Sequence, residues 1–144
     1  MTRYLLDTNV ISEATKPHPS VMLTTWLGRQ ADTDLFIAAL TLAEIKRGIL
    51  DKQPGRKRRE LETWFDGPEG PQALFSGRIL PFDEQAALAW ASIMAEGTRA
   101  GQPRSALDMI IAAIATSHGC VLATMNERHF QNCVEFINPL KIAN

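Results

Sequence analysis

The segment Tyr4-Leu5-Leu6-Asp7-Thr8-Asn9-Val10-Ile11 does most to constrain the fold, because an apolar, strand-like run stops on an acid just ahead of a helix. Thr8 and Asn9 are helix-capping residue types standing directly before the apolar Val10 and Ile11, which predicts a strand-to-helix crevice holding Asp7. Such crevices, at the carboxyl ends of parallel strands, are where open α/β sheets bind ligands. An isolated Asp can equally serve the helix cap and nothing else. The pattern recurs, however, at Val121-Leu122-Ala123-Thr124, where a second apolar run leads to the polar Asn126 at a helix start.

Between these two points, short apolar runs alternate with helical stretches, the pattern of a parallel sheet covered on both faces. Strands are predicted at Tyr4–Leu6, Leu35–Ala38, 78–80, Val121–Ala123 and 134–137, giving an α/β fold with a central, mainly parallel sheet of about five strands flanked by helices. Ser20 can cap a helix carrying Val21, Leu23, Trp26 and Leu27, and Asp83 precedes an Ala-rich helix over 85–100. Ser105 can cap a further helix over 106–118 that is apolar on nearly every face and must therefore be buried. With 144 residues, 45% of them hydrophobic and 22% charged, the chain reads as a single domain over 1–144 with one ordinary core. No apolar run reaches the roughly 20 residues of a membrane span, and the N-terminus lacks the apolar stretch of a signal peptide, so a cytoplasmic protein without membrane contact is expected. Cys120 and Cys133 form no Cys-x-x-Cys pair, and His18, His118 and His129 do not stand at zinc-ligand spacings to them. A formal net charge of −1 means that any nucleic-acid contact must come from a local patch or from metal ions.

Asp108 is an acid near the start of an otherwise apolar helix, where burial without a partner would be expensive. Favourable interaction with the helix N-terminus accounts for its position without assigning it a purpose. Thr41 with Glu44 three residues on reads as a capping box, a structural role for that acid. Asn126 has the same alternative as a helix cap. Taken together, Asp7, Glu44, Asp108 and Asn126 lie beyond strand ends or in the first turns of helices taken to follow strands, where one pocket would gather them. Several oxygen ligands in one pocket, with no suitable His or Cys, suit a hard divalent cation such as Mg²⁺ or Mn²⁺. Carboxylate-bound ions of this kind align water and neutralise charge in phosphodiester cleavage. The chain has no Gly-x-Ser-x-Gly elbow, no Gly-x-x-x-x-Gly-Lys phosphate loop and no Gly-x-Gly-x-x-Gly fingerprint, which disfavours the competing hydrolase and nucleotide-binding chemistries.

Four segments carry a resemblance that spans nearly the whole chain: Leu5-Leu6-Asp7-Thr8-Asn9-Val10-Ile11-Ser12-Glu13, Thr41-Leu42-Ala43-Glu44-Ile45-Lys46-Arg47-Gly48, Ile79-Leu80-Pro81-Phe82-Asp83 and Ala106-Leu107-Asp108-Met109-Ile110-Ile111-Ala112-Ala113. In this order they resemble the PIN-domain ribonucleases, of the toxin type found in prokaryotic VapBC and FitAB modules. The resemblance implies that Asp7, Glu44 and Asp108 are catalytic acids holding Mg²⁺ or Mn²⁺, with Thr8, Asn9 and Thr124 supporting them. Asn126 falls where many relatives place a fourth acid. An amide there binds a cation through its neutral oxygen or through water, which points to one firmly held ion. The resemblance further implies an RNA substrate, an inhibiting antitoxin that binds operator DNA and plugs the toxin's groove with its tail, and a toxin homodimer. Two alternatives remain open at this point. One is a DNA-cleaving 5′-nuclease-like protein, disfavoured because such chains are longer and richer in acids; the other is a metal-poor PIN domain that binds nucleic acid or aids its partner in repression.

A basic run, Lys52, Arg56, Lys57, Arg58 and Arg59, surrounds a Pro54-Gly55 break, with Lys46 and Arg47 upstream. It reads either as a solvated face or as a contact for the RNA backbone. Trp64, Phe65 and Phe75 lie beyond it, with core packing and base stacking both open to them.

Overall fold

The computed structural model describes residues 1–142, so the last two residues of the single domain expected over 1–144 lie outside the described part. The elements run β1 (Tyr4–Leu6), α1 (Thr8–Ala14), α2 (Val21–Gly28), β2 (Leu35–Ala38), α3 (Ala39–Leu50), α4 (Arg56–Asp66), α5 (Pro71–Leu74), β3 (Ile79–Leu80), α6 (Glu84–Arg99), α7 (Ala106–Ser117), β4 (Val121–Ala123), α8 (Glu127–Phe130) and β5 (Phe136–Ile137), with a short 3-10 turn at Asp32–Asp34. The five strands form one parallel sheet in the order β3-β2-β1-β4-β5. β1 is central, with Leu5 opposite both Phe36 and Leu122. Successive strands step outward from β1 to β3 on one side, then restart at β4 on the other, so the topological switch point lies between β1 and β4. Ligand crevices in doubly wound sheets open at that point, beyond the carboxyl ends of the strands.

Strand alternation sends the adjacent Leu5 and Leu6 to opposite faces, and both are buried, at 0% and 2% exposure. Leu5 joins a cluster with Ile93 of α6 and Met109, Ile111, Ala112 and Ile114 of α7. Leu6 joins Val10 and Ile11 of α1, Leu23 and Trp26 of α2, Ile37 and Phe75. Full burial of each leucine contributes about 1.5–3 kcal/mol, so this short strand is held by its two faces more than by its length. The small residues Ala112, Ala113 and Ala115 are fully buried, and Trp90 of α6 donates its indole N–H to Ala106 O at 3.1 Å, closing α6 against α7.

Ser20, Asp83 and Ser105 each cap the following helix through the side chain, accepting from Leu23 N, Ala86 N and Asp108 N. The predicted strands 78–80 and 134–137 are shorter in the structure. Arg78 stands just before the third strand, its carbonyl still accepting from Ile37 N at 3.1 Å, and its guanidinium bonds Asp32 O, Leu35 O and Leu74 O, tying that strand to the turn before β2. α7 runs into β4, following α6 and not a strand as expected; returning toward the start of β4, its first turn reaches the same sheet edge as β1's end. Cys120 and Cys133 are both free thiols. Among the described residues, no helix is long and apolar enough to cross a membrane.

Candidate active site

At the end of β1 the backbone of Asp7 is still extended, with φ −67° and ψ 157°, and its N–H continues the ladder to Ala123 O at 2.9 Å. The helix starts one residue later, at Thr8, so the cap is Asp7 itself: its Oδ1 accepts from Thr8 N at 2.8 Å. The expected cappers Thr8 and Asn9 thus fall inside α1, which frees their side chains for other partners. Thr8 Oγ1 donates to Glu44 Oε1 at 2.7 Å and lies 3.2 Å from Thr41 Oγ1. Asn9 accepts from Met125 N at 3.2 Å and points its amide at Asp7 Oδ2 and Thr124 Oγ1, both at 3.3 Å. The fully buried Thr124 donates its hydroxyl to Asp7 Oδ2 at 2.8 Å and accepts from Asn126 N at 3.0 Å. The bonds of Asp7 and Asn9 to Thr124 and Met125 join the end of β1 and the start of α1 to the loop after β4, across the switch point.

Glu44 is not part of a capping box. α3 begins at Ala39, with Ala38 in the cap position and no side-chain cap bond, so Thr41 lies within the helix and is fully buried. The Thr-x-x-Glu spacing coincides with a capping box without the helix start that a box requires. Glu44 is instead turned to Thr8. Asp108 occupies the first turn of α7, where the helix N-terminus favours an acid, and its Oδ2 lies 2.9 Å from His129 Nδ1. Asn126 stands at the cap position of α8 but makes no side-chain cap bond and is exposed, so capping does not account for its amide.

Asp7, Glu44, Asp108 and Asn126 line one cleft of ≈ 430 Å³, together with Thr8 and Asn9. Asp7 is only 7% exposed. Burial pushes its carboxyl above the usual carboxylate range; the hydrogen bonds from Thr124 and Thr8 oppose this, while the charges of Asp108 and Glu44 add to it. The acids therefore sense one another's charge. Among the described residues no three His, Cys, Asp or Glu side chains are already drawn together as a metal-ligand group, so these acids stand on the walls of an open cleft. The donor set nonetheless suits a hard cation in its chemistry: carboxylate and amide oxygens alone, repelling one another in the absence of a counter-charge.

Sequence reading missed three residues at this site. Glu13 and Lys16 also line the cleft, paired at 2.9 Å, and the bond from Lys16 chiefly holds the Glu13 carboxyl below its usual range. Asn9 and Glu13 stand four apart on α1, a spacing that would have placed Glu13 beside the site. His129 is brought to Asp108 only by tertiary closure, with no local signal in the sequence.

None of the basic residues Lys46, Arg47, Arg56, Lys57, Arg58 or Arg59 lines the acidic cleft. Arg47, Arg56 and Arg58 pair with Asp51, Glu60 and Glu62 one helical turn on. Lys46 lies over the Phe65 ring at 5.2 Å. Lys57 and Arg59 are exposed and, among the described residues, have no acidic partner. Phe65 and Phe75 are buried, which assigns them to packing and removes them from base stacking; Trp64 is partly buried and lines an apolar groove with Leu74 and Phe75.

The PIN domain family profile matches residues 4–134. The chain is 34% identical over 136 residues to the VapC ribonuclease Y4jK of Sinorhizobium fredii, covering 94% of this chain and 96% of that protein. It is 37% identical over 126 residues to the toxin FitB of Neisseria gonorrhoeae, covering 88% and 89% of the two chains. A solved structure of FitAB bound to an IR36 DNA fragment superposes with a TM-score of 0.88 at 34% identity, covering 98% of each chain.

Proposed function

The chain belongs to the PIN domain family, and on that premise we propose that it is a divalent-metal-dependent endoribonuclease, the toxin of a VapBC- or FitAB-like toxin–antitoxin pair. The observation that carries this reading is the gathering of Asp7, Glu44 and Asp108, from β1, α3 and α7, in one cleft at the switch point of the sheet. Asp7, Glu44 and Asp108, with the neutral oxygen of Asn126, would hold Mg²⁺ or Mn²⁺ there. When bound, such an ion lowers the pKa of a water and neutralises charge on the phosphate during in-line hydrolysis.

The chain's own residues supply the positioning. The N–H of Thr8 and the hydroxyl of Thr124 fix both oxygens of Asp7, and Thr8 also fixes Glu44, so one threonine sets two acids relative to each other. Asp7, bonded to the fully buried Thr124 behind it, forms the buried side of the cleft, whose other side is open to a polymer. No protein nucleophile is required. Outside the cleft, Lys52, Lys57 and Arg59 are the cations of the basic run left for the phosphate backbone, which a near-neutral nuclease needs to attract RNA.

The FitAB structure bound to a DNA fragment supports an antitoxin partner for this chain; to this we add a homodimer of this chain, inhibited by a small antitoxin that itself contacts operator DNA. A cleft lined by Asp7, Glu44 and Asp108 suits an Arg or Lys in the antitoxin tail, which would occupy the acids in place of the ion. Incubating the purified protein with Mg²⁺ or Mn²⁺ and a pool of structured RNAs, then mapping the new ends, tests the reading. Discrete internal cuts that vanish with chelator support it. RNA that is bound but left intact at millimolar metal refutes the nuclease and favours a nucleic-acid-binding partner of a repressor.

A further inference from the structure

Asp7, Glu44 and Asp108 are each met by a side chain from another part of the fold. Asp7 takes bonds from Thr8, Asn9 and Thr124, and Glu44 takes one on Oε1 from Thr8. Asp108 has a single side-chain partner among the described residues, His129, on Oδ2. One oxygen of Glu44 thus accepts a hydrogen bond and one oxygen of Asp108 is met by a ring nitrogen, and among the described residues the other oxygen of each has no protein donor. His129 stands to Asp108 as Thr8 stands to Glu44.

We propose that His129 is a positioning residue that fixes the Asp108 carboxylate for the divalent ion, an inference that rests on the metal-dependent reading of the cleft. His129 Nδ1 lies 2.9 Å from Asp108 Oδ2, and since a carboxylate oxygen only accepts, the ring nitrogen facing it is the one that carries the hydrogen. A neutral ring suffices for this contact. The residue is well placed to hold its geometry: its own N–H donates to Asn126 O at 3.1 Å, and the next residue, Phe130, is fully buried as the anchor of α8. The turn is also tied from outside, since Glu127 accepts from Asn138 and pairs with Lys141 after β5. The imidazole therefore works from a fixed base, with its side chain 54% exposed beside an acid whose side chain is 28% exposed. Partners of this kind, one bond away from a metal-binding group, change metal affinity by about 10–100-fold when removed.

The test is calorimetric titration of Mn²⁺ into the full-length, metal-free protein at one neutral pH, with RNA cleavage measured in parallel. His129→Ala should weaken Mn²⁺ binding roughly 10–100-fold. His129→Asn places an amide N–H where Nδ1 stands and should restore most of the affinity. His129→Gln places its amide near the position of Nε2 and should not. At saturating Mn²⁺ the KM for RNA should be unchanged in all three, with the defect confined to the metal concentration needed for half-maximal rate. Circular dichroism establishes that each variant is folded. Equal or tighter Mn²⁺ binding by His129→Ala would overturn the proposal by making the histidine a bystander or a competitor of the ion. An Asn variant no better than the Ala variant would overturn it too, since ring packing and not the donor would then be what was lost. Wild-type protein that binds no Mn²⁺ sinks the metal-dependent reading itself, and wild-type protein that binds Mn²⁺ without cutting RNA sinks only the nuclease.

Discussion

Thr124→Val removes one oxygen from the fully buried side chain that most directly supports Asp7, and its effect should depend on pH in a defined direction. The Thr124 hydroxyl donates to Asp7 Oδ2 at 2.8 Å and accepts from Asn126 N and from the Asn9 amide. Valine keeps the shape and loses all three bonds. A hydrogen bond to a charged group contributes about 1.5–3 kcal/mol, against about 0.5–1.5 kcal/mol for a neutral pair. With Asp7 ionised, loss of the bond to it should alone cost about 1.5–3 kcal/mol, which for a domain of this size lowers Tm by roughly 3–12 °C. Asp7 is an acid whose carboxyl is raised by burial in the folded protein, so its protonation favours folding. That contribution is complete below the unfolded value of 3.8 and is lost as pH rises through the folded value. Without the Thr124 bond, which lowers it, the folded value moves further up, and more stability is gone by neutrality. The penalty should thus shrink toward that of a neutral pair as pH falls toward 3.8. Urea unfolding of both proteins in chelator, at pH 7 and at pH 4, measures the difference directly, since other groups titrate alike in the two. A penalty that is constant with pH, or larger in acid, would refute the assignment of this hydroxyl to the ionised Asp7.

Three further outcomes follow from the same cleft. Mn²⁺ at about a hundred times its Kd should stabilise the fold by roughly 2.7 kcal/mol, a rise in Tm of about 5–11 °C in scanning fluorimetry, and Asp7→Asn should lose most of that rise. Asn126→Asp, at an exposed position that makes no side-chain cap bond, should fold normally and bind Mn²⁺ more tightly in a calorimetric titration; loss of folding would mean that the amide's donor matters structurally. An antitoxin that copurifies with the chain should lose at least about 30-fold in affinity when the basic residue of its tail is replaced by Ala, the equivalent of roughly 2 kcal/mol, and inhibition that survives removal of the whole tail would exclude a plugged cleft.

Local signals made the parallel sheet and its edges readable. Ser20, Asp83 and Ser105 announce helix starts because a cap is a contact between residues three apart, fully specified by neighbours in the chain. Asp7 is legible for the same reason: the apolar run of β1 ends where the acid begins. Glu44 shows the limit of such reasoning. Its spacing from Thr41 satisfies a capping box, but where α3 begins is decided by β2 ending at Ala38, and the helix therefore places Thr41 in the core and turns Glu44 toward Thr8. His129 had no signal at all, since its partner Asp108 lies on another helix and the two meet only when α7 and α8 close over the end of β4. The basic run was visible as composition, whereas the pairing of Arg47, Arg56 and Arg58 with acids one turn away was there to be read at helical spacing.

Cleavage of one RNA substrate under Mg²⁺ by wild-type protein, Asp7→Asn and Asp108→Asn, with chelator as control and circular dichroism to establish folding, bears most directly on the claim that acids from β1 and α7 form one metal-dependent site. The wild type should cut only in the presence of the ion, and each variant should be folded and inactive. Near-normal cutting by both variants under the same Mg²⁺ would contradict the account.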